Sequence, residues 1–312
     1  MFVPNLPVMV GLIVLAPRFV PELRNPAARR VDLLSAALST AAVLSVVYGV
    51  KHGAHHGLGV ADVVAIAGGP ALLVLFVRRQ LTLEDPLVDV RLFARPAFRT
   101  AIAATTVAMF VIYGIVFFTA QHLQLVAGLS PLEAGLWGLP SVAVMLVVSG
   151  AVLPRLATRI RPARLVAGGM LIAACGLLLL TRLQPDSSVA QLVVAVSLLM
   201  AGLAPTTTMG VNLIVGAAPP EQAGAVSGLG QAGNELGGAF GIALLGTVGA
   251  AVYHGDTGGD SPGELAGRLD AAADAFAHGM HVAAAVAIAL LLATAAFVAV
   301  GLRVAQPSPA PA

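Results

Sequence analysis

Nine stretches of this chain, at 2–17, 31–50, 60–77, 98–121, 133–153, 164–182, 189–216, 223–252 and 279–302, are apolar over lengths near that of a bilayer-spanning helix, which needs about 20 mostly apolar residues. The runs of Ala, Leu, Val and Gly do not alternate in polarity, so they do not read as strands of a membrane barrel. In lipid a helix satisfies its own backbone hydrogen bonds, and helix is therefore the predicted state of each stretch. Composition agrees. Of 312 residues, 58% are apolar and 10% charged, and the mean hydropathy is +0.92. Charges this sparse cannot solvate the surface of a 31.4 kDa globule, because soluble domains carry about 25% charged residues. A soluble enzyme, a disordered chain and a nucleic-acid binder are all poor fits. The sequence predicts an all-α polytopic membrane protein with about nine transmembrane helices and the lipid bilayer as its first partner.

Charge placement orients the chain. One set of connecting stretches holds fourteen arginines: Arg18, Arg24, Arg29, Arg30, Arg78, Arg79, Arg91, Arg95, Arg99, Arg155, Arg159, Arg161, Arg164 and Arg303. The alternate set holds only Lys51, Arg182 and Arg268. By the positive-inside rule the N-terminus faces outward and the C-terminus lies in the cytoplasm, which predicts a multi-pass protein of the inner (plasma) membrane. The acid-rich segment 254–278 falls on the outer side in this arrangement. The first apolar run has no basic residue before it and Arg18 just after it, the reverse of a secretory signal peptide. It reads as an internal segment entered from outside, with earlier helices expected ahead of it.

The remaining organisation follows from the linkers. A helix pair at 31–50 and 60–77 is joined by a short Gly/His segment, and a linker at 78–97 leads to six helices between 98 and 302. Six helices divisible into three plus three suit the inverted repeats of secondary transporters.

Intramembrane chemistry is concentrated at one residue. A charge at mid-bilayer costs on the order of 2.5–3.5 kcal/mol on insertion scales. Fourteen of the fifteen acids, including Asp32, Asp62, Glu133 and Glu221, lie in loops or at span edges. Glu235 alone lies well inside a span, about 10 Å deep if the apolar core begins near Leu229, at 1.5 Å per residue. Ser227, Gln231 and Glu235 recur every four residues and form a polar stripe. Gly233, Gly237 and Gly241 form a second stripe about 160–200° around the helix from Glu235, and small residues at that interval let a neighbouring backbone approach. One face is expected to pack while the other presents a carboxyl to the interior. Burial disfavours the charged form of a carboxyl and a bound cation favours it, so proton and cation would compete for the site, the minimal chemistry of an antiporter. The plainer alternative is a hydrogen bond to a neighbouring helix that serves packing alone.

Gln121 and Gln124 stand one turn apart near the outer end of their helix, where they line a cavity or face headgroups. Asn212 and Thr206–Thr208 follow Pro205, whose ring frees backbone carbonyls; substrate contact and interhelical hydrogen bonding both account for them. Trp137 reads as an interfacial anchor. His52, His55 and His56 in KHGAHHGLG hint at a metal, but no acid or cysteine ligand accompanies them in their loop, and no metal site is predicted. Cys175 is the single cysteine, which excludes a disulfide framework. HExxH does not occur, and no hydrolase is predicted.

At several of these segments the chain resembles a known family. VDLLSAALSTAAVLSVVYGVK (31–51), DPLVDVRLFARPAF (85–98), QHLQLVAGLSPLEAGLWGLP (121–140) and, most strongly, PPEQAGAVSGLGQAGNELGGAFGIALLGTVGAAVY (219–253) resemble the fourteen-helix drug:proton antiporters of the major facilitator superfamily. The QacA/SmvA-type multidrug exporters are the particular likeness, with the ELGGA-G-A-LLG pattern at 235–246. PNLPV (4–8) is similar to the segment that opens the family's sixth helix. The resemblance implies an incomplete major-facilitator fold. Residues 1–17 would be the last helix of an N-terminal bundle, and 18–77 a cytoplasmic stretch plus the extra central helix pair. Residues 78–97 would be the linker, 98–302 an intact C-terminal six-helix bundle, and 303–312 a cytoplasmic tail.

It further implies proton-coupled export of lipophilic cationic small molecules, with Glu235 matching a family acid and the proton gradient in place of any cofactor. A partner supplying the missing N-terminal helical bundle is expected. The basic stretch at 154–166 resembles a degenerate loop motif of the family, or is ordinary positive-inside charge. The competing expectation is a structural or regulatory membrane subunit that pairs with such a partner.

Overall fold

A computed structural model of the protein describes residues 9–11, 15, 32–56, 59–83, 86, 89–184, 187–216, 223–245 and 265–304. Most of the expected first helix, the basic stretch up to residue 31, Glu221, the acidic segment 254–264 and the tail from 305 lie outside the described residues. The remaining eight expected spans each coincide with a described helix, the span at 223–252 as far as Leu245. We number these α1 (Leu33–His56), α2 (Val60–Thr82), α3 (Pro96–Gln121), α4 (Pro131–Val147), α5 (Pro162–Leu180), α6 (Val189–Gly216), α7 (Ala223–Phe240) and α8 (Leu265–Val304). Three helices run on through a π turn: α3 at His122–Val126, α4 at Val148–Val152 and α7 at Gly241–Leu245. No strand occurs among the described residues. Among the described residues, six helices are long and apolar enough to cross a membrane by length and composition.

Local sequence sets the helix starts. Pro96, Pro131 and Pro162 occupy the first turns of α3, α4 and α5, where proline's missing N–H costs nothing and its fixed φ favours the helix. Ser130 caps α4 in a reciprocal box: its hydroxyl accepts from the Glu133 N–H at 3.3 Å, and the Glu133 carboxylate accepts from the Ser130 N–H at 2.9 Å. Gly128, at φ +67°, turns the chain between α3 and α4, a conformation that costs glycine nothing.

The core lies where α3, α5, α6 and α8 meet. Ala108, Val111 and Ile115 of α3, Met170 and Leu177 of α5, Leu199 and Leu203 of α6, and Met280, Ala284 and Leu291 of α8 are all buried in one cluster. Glycines let α5 and α6 touch backbone to backbone. A Cβ on Gly169 would strike the Gly202 carbonyl, and one on Gly176 would lie 2.8 Å from the Ala195 carbonyl.

The pattern of neighbours reveals a repeat. α5 packs on α6 as α8 packs on α3, and α4 packs on α6 as α7 packs on α3, while α3 meets α6 and α5 meets α8. Exchanging α3 with α6, α4 with α7 and α5 with α8 maps these contacts onto themselves. Because each unit has an odd number of spans, the second must cross the membrane in the opposite sense to the first. Three plus three inverted helices are therefore visible in the packing.

Helices α1 and α2 form a hairpin pinned at both ends. Gln80 Nε2 donates to Ser35 Oγ at 2.6 Å, with both residues buried. At the other end His52 Nδ1 lies 2.8 Å from Asp62 Oδ1. Midway, Gly69 admits the Ala42 carbonyl at 2.8 Å from its absent Cβ. The Gly/His segment read as a loop is helical through His56. His52 is engaged by a carboxylate of the next helix, and the described residues contain no cluster of three metal ligands.

Candidate functional site

Helix α7 has two opposed characters. On one side a row of glycines lies against α3, and the two helices run parallel with matched four-residue spacing. A Cβ on Gly233 would lie 2.9 Å from Thr106 Oγ1, one on Gly237 would strike the Thr106 carbonyl, and one on Gly241 the Phe110 carbonyl. The row ends where Leu245 fills the space over Gly114. Gly230 faces Ile214 of α6. Any side chain larger than hydrogen on this row would force the helices apart.

The other side carries Ser227, Gln231 and Glu235, all exposed. Gln231 Nε2 donates to Glu235 Oε1 at 2.8 Å, one turn along the same helix. The carboxyl thus sits on the surface of the bundle, where an interior position was expected. The reason is geometric: the glycine row turns the opposite face of α7 toward α3, and no described helix stands against the polar stripe.

The other polar residues singled out in the sequence are dispersed. Asn212 is exposed one turn beyond Thr208, the residue through which α6 meets α4: Thr208 Oγ1 donates to Ser149 Oγ at 3.2 Å. Side chains four apart share a helix face, so Asn212 belongs to the α4 side and not to the Glu235 stripe. Gln121 is half-buried and Gln124 exposed at the π turn ending α3. Glu235 stands near the level of Thr106, so these glutamines lie about 22–27 Å farther along the bundle at 1.5 Å per residue. Trp137 of α4 is exposed.

Two residues near the stripe escaped the sequence reading. Asn234 has a buried Oδ1 that accepts no hydrogen bond from the described residues. Tyr113 of α3 has its ring laid over Gly238, whose Cβ would come within 3.0 Å of Tyr113 Cδ2. Gly238 is buried, while Tyr113 keeps 44% of its surface exposed. A signal for Tyr113 did exist, since a tyrosine in mid-span is out of place when tyrosines favour the membrane interface.

Comparison with known proteins bears on what such a bundle belongs to. The model of the Major Facilitator Superfamily matches residues 2–242. The chain belongs to this superfamily. It is therefore a polypeptide of a transporter family and not of an enzyme family. It is 34% identical to the multidrug efflux pump LfrA of Mycolicibacterium smegmatis, over 97% of this chain and 65% of that protein. It is 34% identical to the multidrug resistance protein Stp of Mycobacterium tuberculosis, over 80% of this chain and 46% of Stp. It is 30% identical to the methyl viologen resistance protein SmvA of Salmonella typhimurium, over 79% of this chain and 50% of SmvA. This superfamily member thus spans about half to two thirds of the length of these relatives. The crystal structure of a bacterial homolog of the human lysosomal transporter Spinster, inward-facing and unoccupied, shares the fold. The TM-score is 0.55 at 19% identity, over 88% of this chain and 70% of that one.

Proposed function

We propose that this chain acts within a proton-coupled exporter of lipophilic cations, supplying one complete six-helix bundle and the α1–α2 hairpin, and that Glu235 is its proton- and cation-coupling residue. The observation that carries the reading is the two-faced α7. One face is locked to α3 by glycine, and the opposite face offers a carboxyl and its glutamine partner to whatever occupies the space beyond. The named functions of LfrA, Stp and SmvA speak for drug export over a structural or regulatory subunit. The length of those relatives speaks for a second bundle across from the stripe, within a fourteen-helix layout.

In that setting the exposed stripe faces a central cavity. Glu235 gives up its proton when a cation arrives and regains one after release, as the two bundles rock about a midplane site. An inside-negative potential opposes outward movement of a cation by about 2.3 kcal/mol per charge per 100 mV, so exchange against protons supplies the drive. The arginine-rich ends of the helices lie in the cytoplasm. Ser227 and Gln231 line the cavity beside Glu235, whereas Asn212, Gln121 and Gln124 serve other surfaces. The bundle alone, without a facing bundle, performs no transport.

Everted membrane vesicles from the native host provide the test. With the wild-type sequence, an imposed proton gradient drives ethidium transport, and Glu235→Gln abolishes it while the protein remains in the membrane at normal level. Gradient-driven transport that survives Glu235→Gln would remove Glu235 from the coupling role.

A further inference from the structure

Tyr113 is held in an unusual way. A large aromatic side chain on a bundle surface normally spreads into lipid or a groove, yet this ring lies on the backbone of a neighbouring helix, at the one α7 position on that side where glycine leaves room. Cδ2, Cγ and Cε2 all stand within 3.3 Å of the point where a Cβ of residue 238 would be. The ring therefore occupies the place of a side chain at 238. Side chains three residues apart on a helix have their Cβ atoms about 5–6 Å from one another, which sets the ring within one helical turn of the Glu235 Cβ. Gln231 holds the Glu235 carboxyl from the preceding turn. Tyr113 remains 44% exposed with its ring on Gly238.

An exposed aromatic ring seated on α7 and an exposed carboxyl-bearing residue within one turn of it can together form a recognition element for an organic cation large enough to reach both. The ring quadrupole attracts positive charge over its face, and its flat surface suits planar or aryl-substituted cations in particular. We propose that Tyr113 is a specificity-determining residue of the Glu235 site, forming the aromatic wall against which a flat or aryl cation stacks, and that Gly238 is the positioning residue that seats it. The assignment rests on the export reading for its substrate class and adds to it a residue on a different helix and a basis for selecting among cations.

The test is equilibrium binding to the purified full chain in lipid nanodiscs, followed by ethidium fluorescence, with neutral dihydroethidium as a probe of nearly the same shape. Tyr113→Leu is expected to weaken ethidium binding by about two- to thirtyfold, the range for a cation over an aromatic face, and to leave dihydroethidium unchanged. Tyr113→Phe keeps the ring and stays within about twofold of wild type. Gly238→Ala pushes the ring out of its seat and reproduces the Tyr113→Leu loss, yet it adds nothing in a Tyr113→Leu background. That non-additivity separates positioning from general damage to the helix. If Glu235→Gln weakens ethidium binding while Tyr113→Leu does not, the aromatic wall is wrong and the export reading stands. If both probes weaken equally, the role of Tyr113 is packing. Absence of ethidium binding by the wild-type chain overturns the assignment as well, and the vesicle experiment then decides the export reading separately.

Discussion

The α3–α7 and α6–α4 contacts occupy equivalent places in the two inverted halves of the bundle, and they are built from opposite materials. The first is a backbone seam: Gly233, Gly237 and Gly241 admit Thr106 and Phe110 so closely that main-chain carbonyls take the space of side chains. The second is a side-chain seam. Ser141 and Ser197 hydroxyls meet at 3.1 Å and Thr208 meets Ser149 at 3.2 Å, while α4 exposes Leu132, Leu136, Leu139, Val142 and Leu146. Close backbone contact gains dispersion over many atoms and leaves no slack. Hydroxyl pairs in a membrane contribute on the order of 0.6 kcal/mol each and can be exchanged for others. The difference suggests a division of labour between the halves. The helix carrying Glu235 is fixed to its neighbour by backbone contact, and its symmetry mate is held by exchangeable hydroxyl pairs.

The comparison can be broken most severely at Gly237. Gly237→Leu would drive a branched side chain into the Thr106 carbonyl, and we expect a loss of about 3 kcal/mol or more, read as collapse of the monodisperse peak and of the thermal transition in detergent. A bundle that melts normally with this substitution in place would show that the seam is not rigid. Gly228 offers the internal control. It lies on the same helix with open space around it, so Gly228→Ala should leave stability unchanged or raise it by up to about 1 kcal/mol through helix propensity. The smallest effects belong to the other seam. Ser149→Ala and Thr208→Ala should each cost about 0.6 kcal/mol, and a double-mutant cycle should show most of that as coupling. A cost near that of Gly237→Leu would erase the proposed asymmetry.

The two seams also mark how far the sequence could be read. The spans were legible because lipid penalises every unpaired backbone group, so length and hydropathy alone place eight described helices. The prolines of α3, α4 and α5 announce their first turns for an equally local reason. Four-residue spacing of glycine identifies a face of α7, but which helix stands against it is a long-range fact that no window contains. The same limit explains Asn212. The local sequence leaves substrate contact and interhelical hydrogen bonding equally open for Asn212 and Thr206–Thr208, and the Thr208–Ser149 bond that favours the second is set by how α6 is turned. Tyr113 was missed because its place is defined by a glycine 125 positions away. Asp62 read correctly as a span-edge acid, yet its burial against His52 depends on α1 staying helical through His56.

One consequence of the glycine seam concerns how α7 is accommodated. Along Ala223–Leu245 its glycines, Gln231, Asn234 and Glu235 dilute the apolar residues. Its partner α3 is strongly apolar and precedes it by three helices. The glycine row gives this polar stretch a close-packed protein neighbour, so that part of its surface meets backbone in place of lipid.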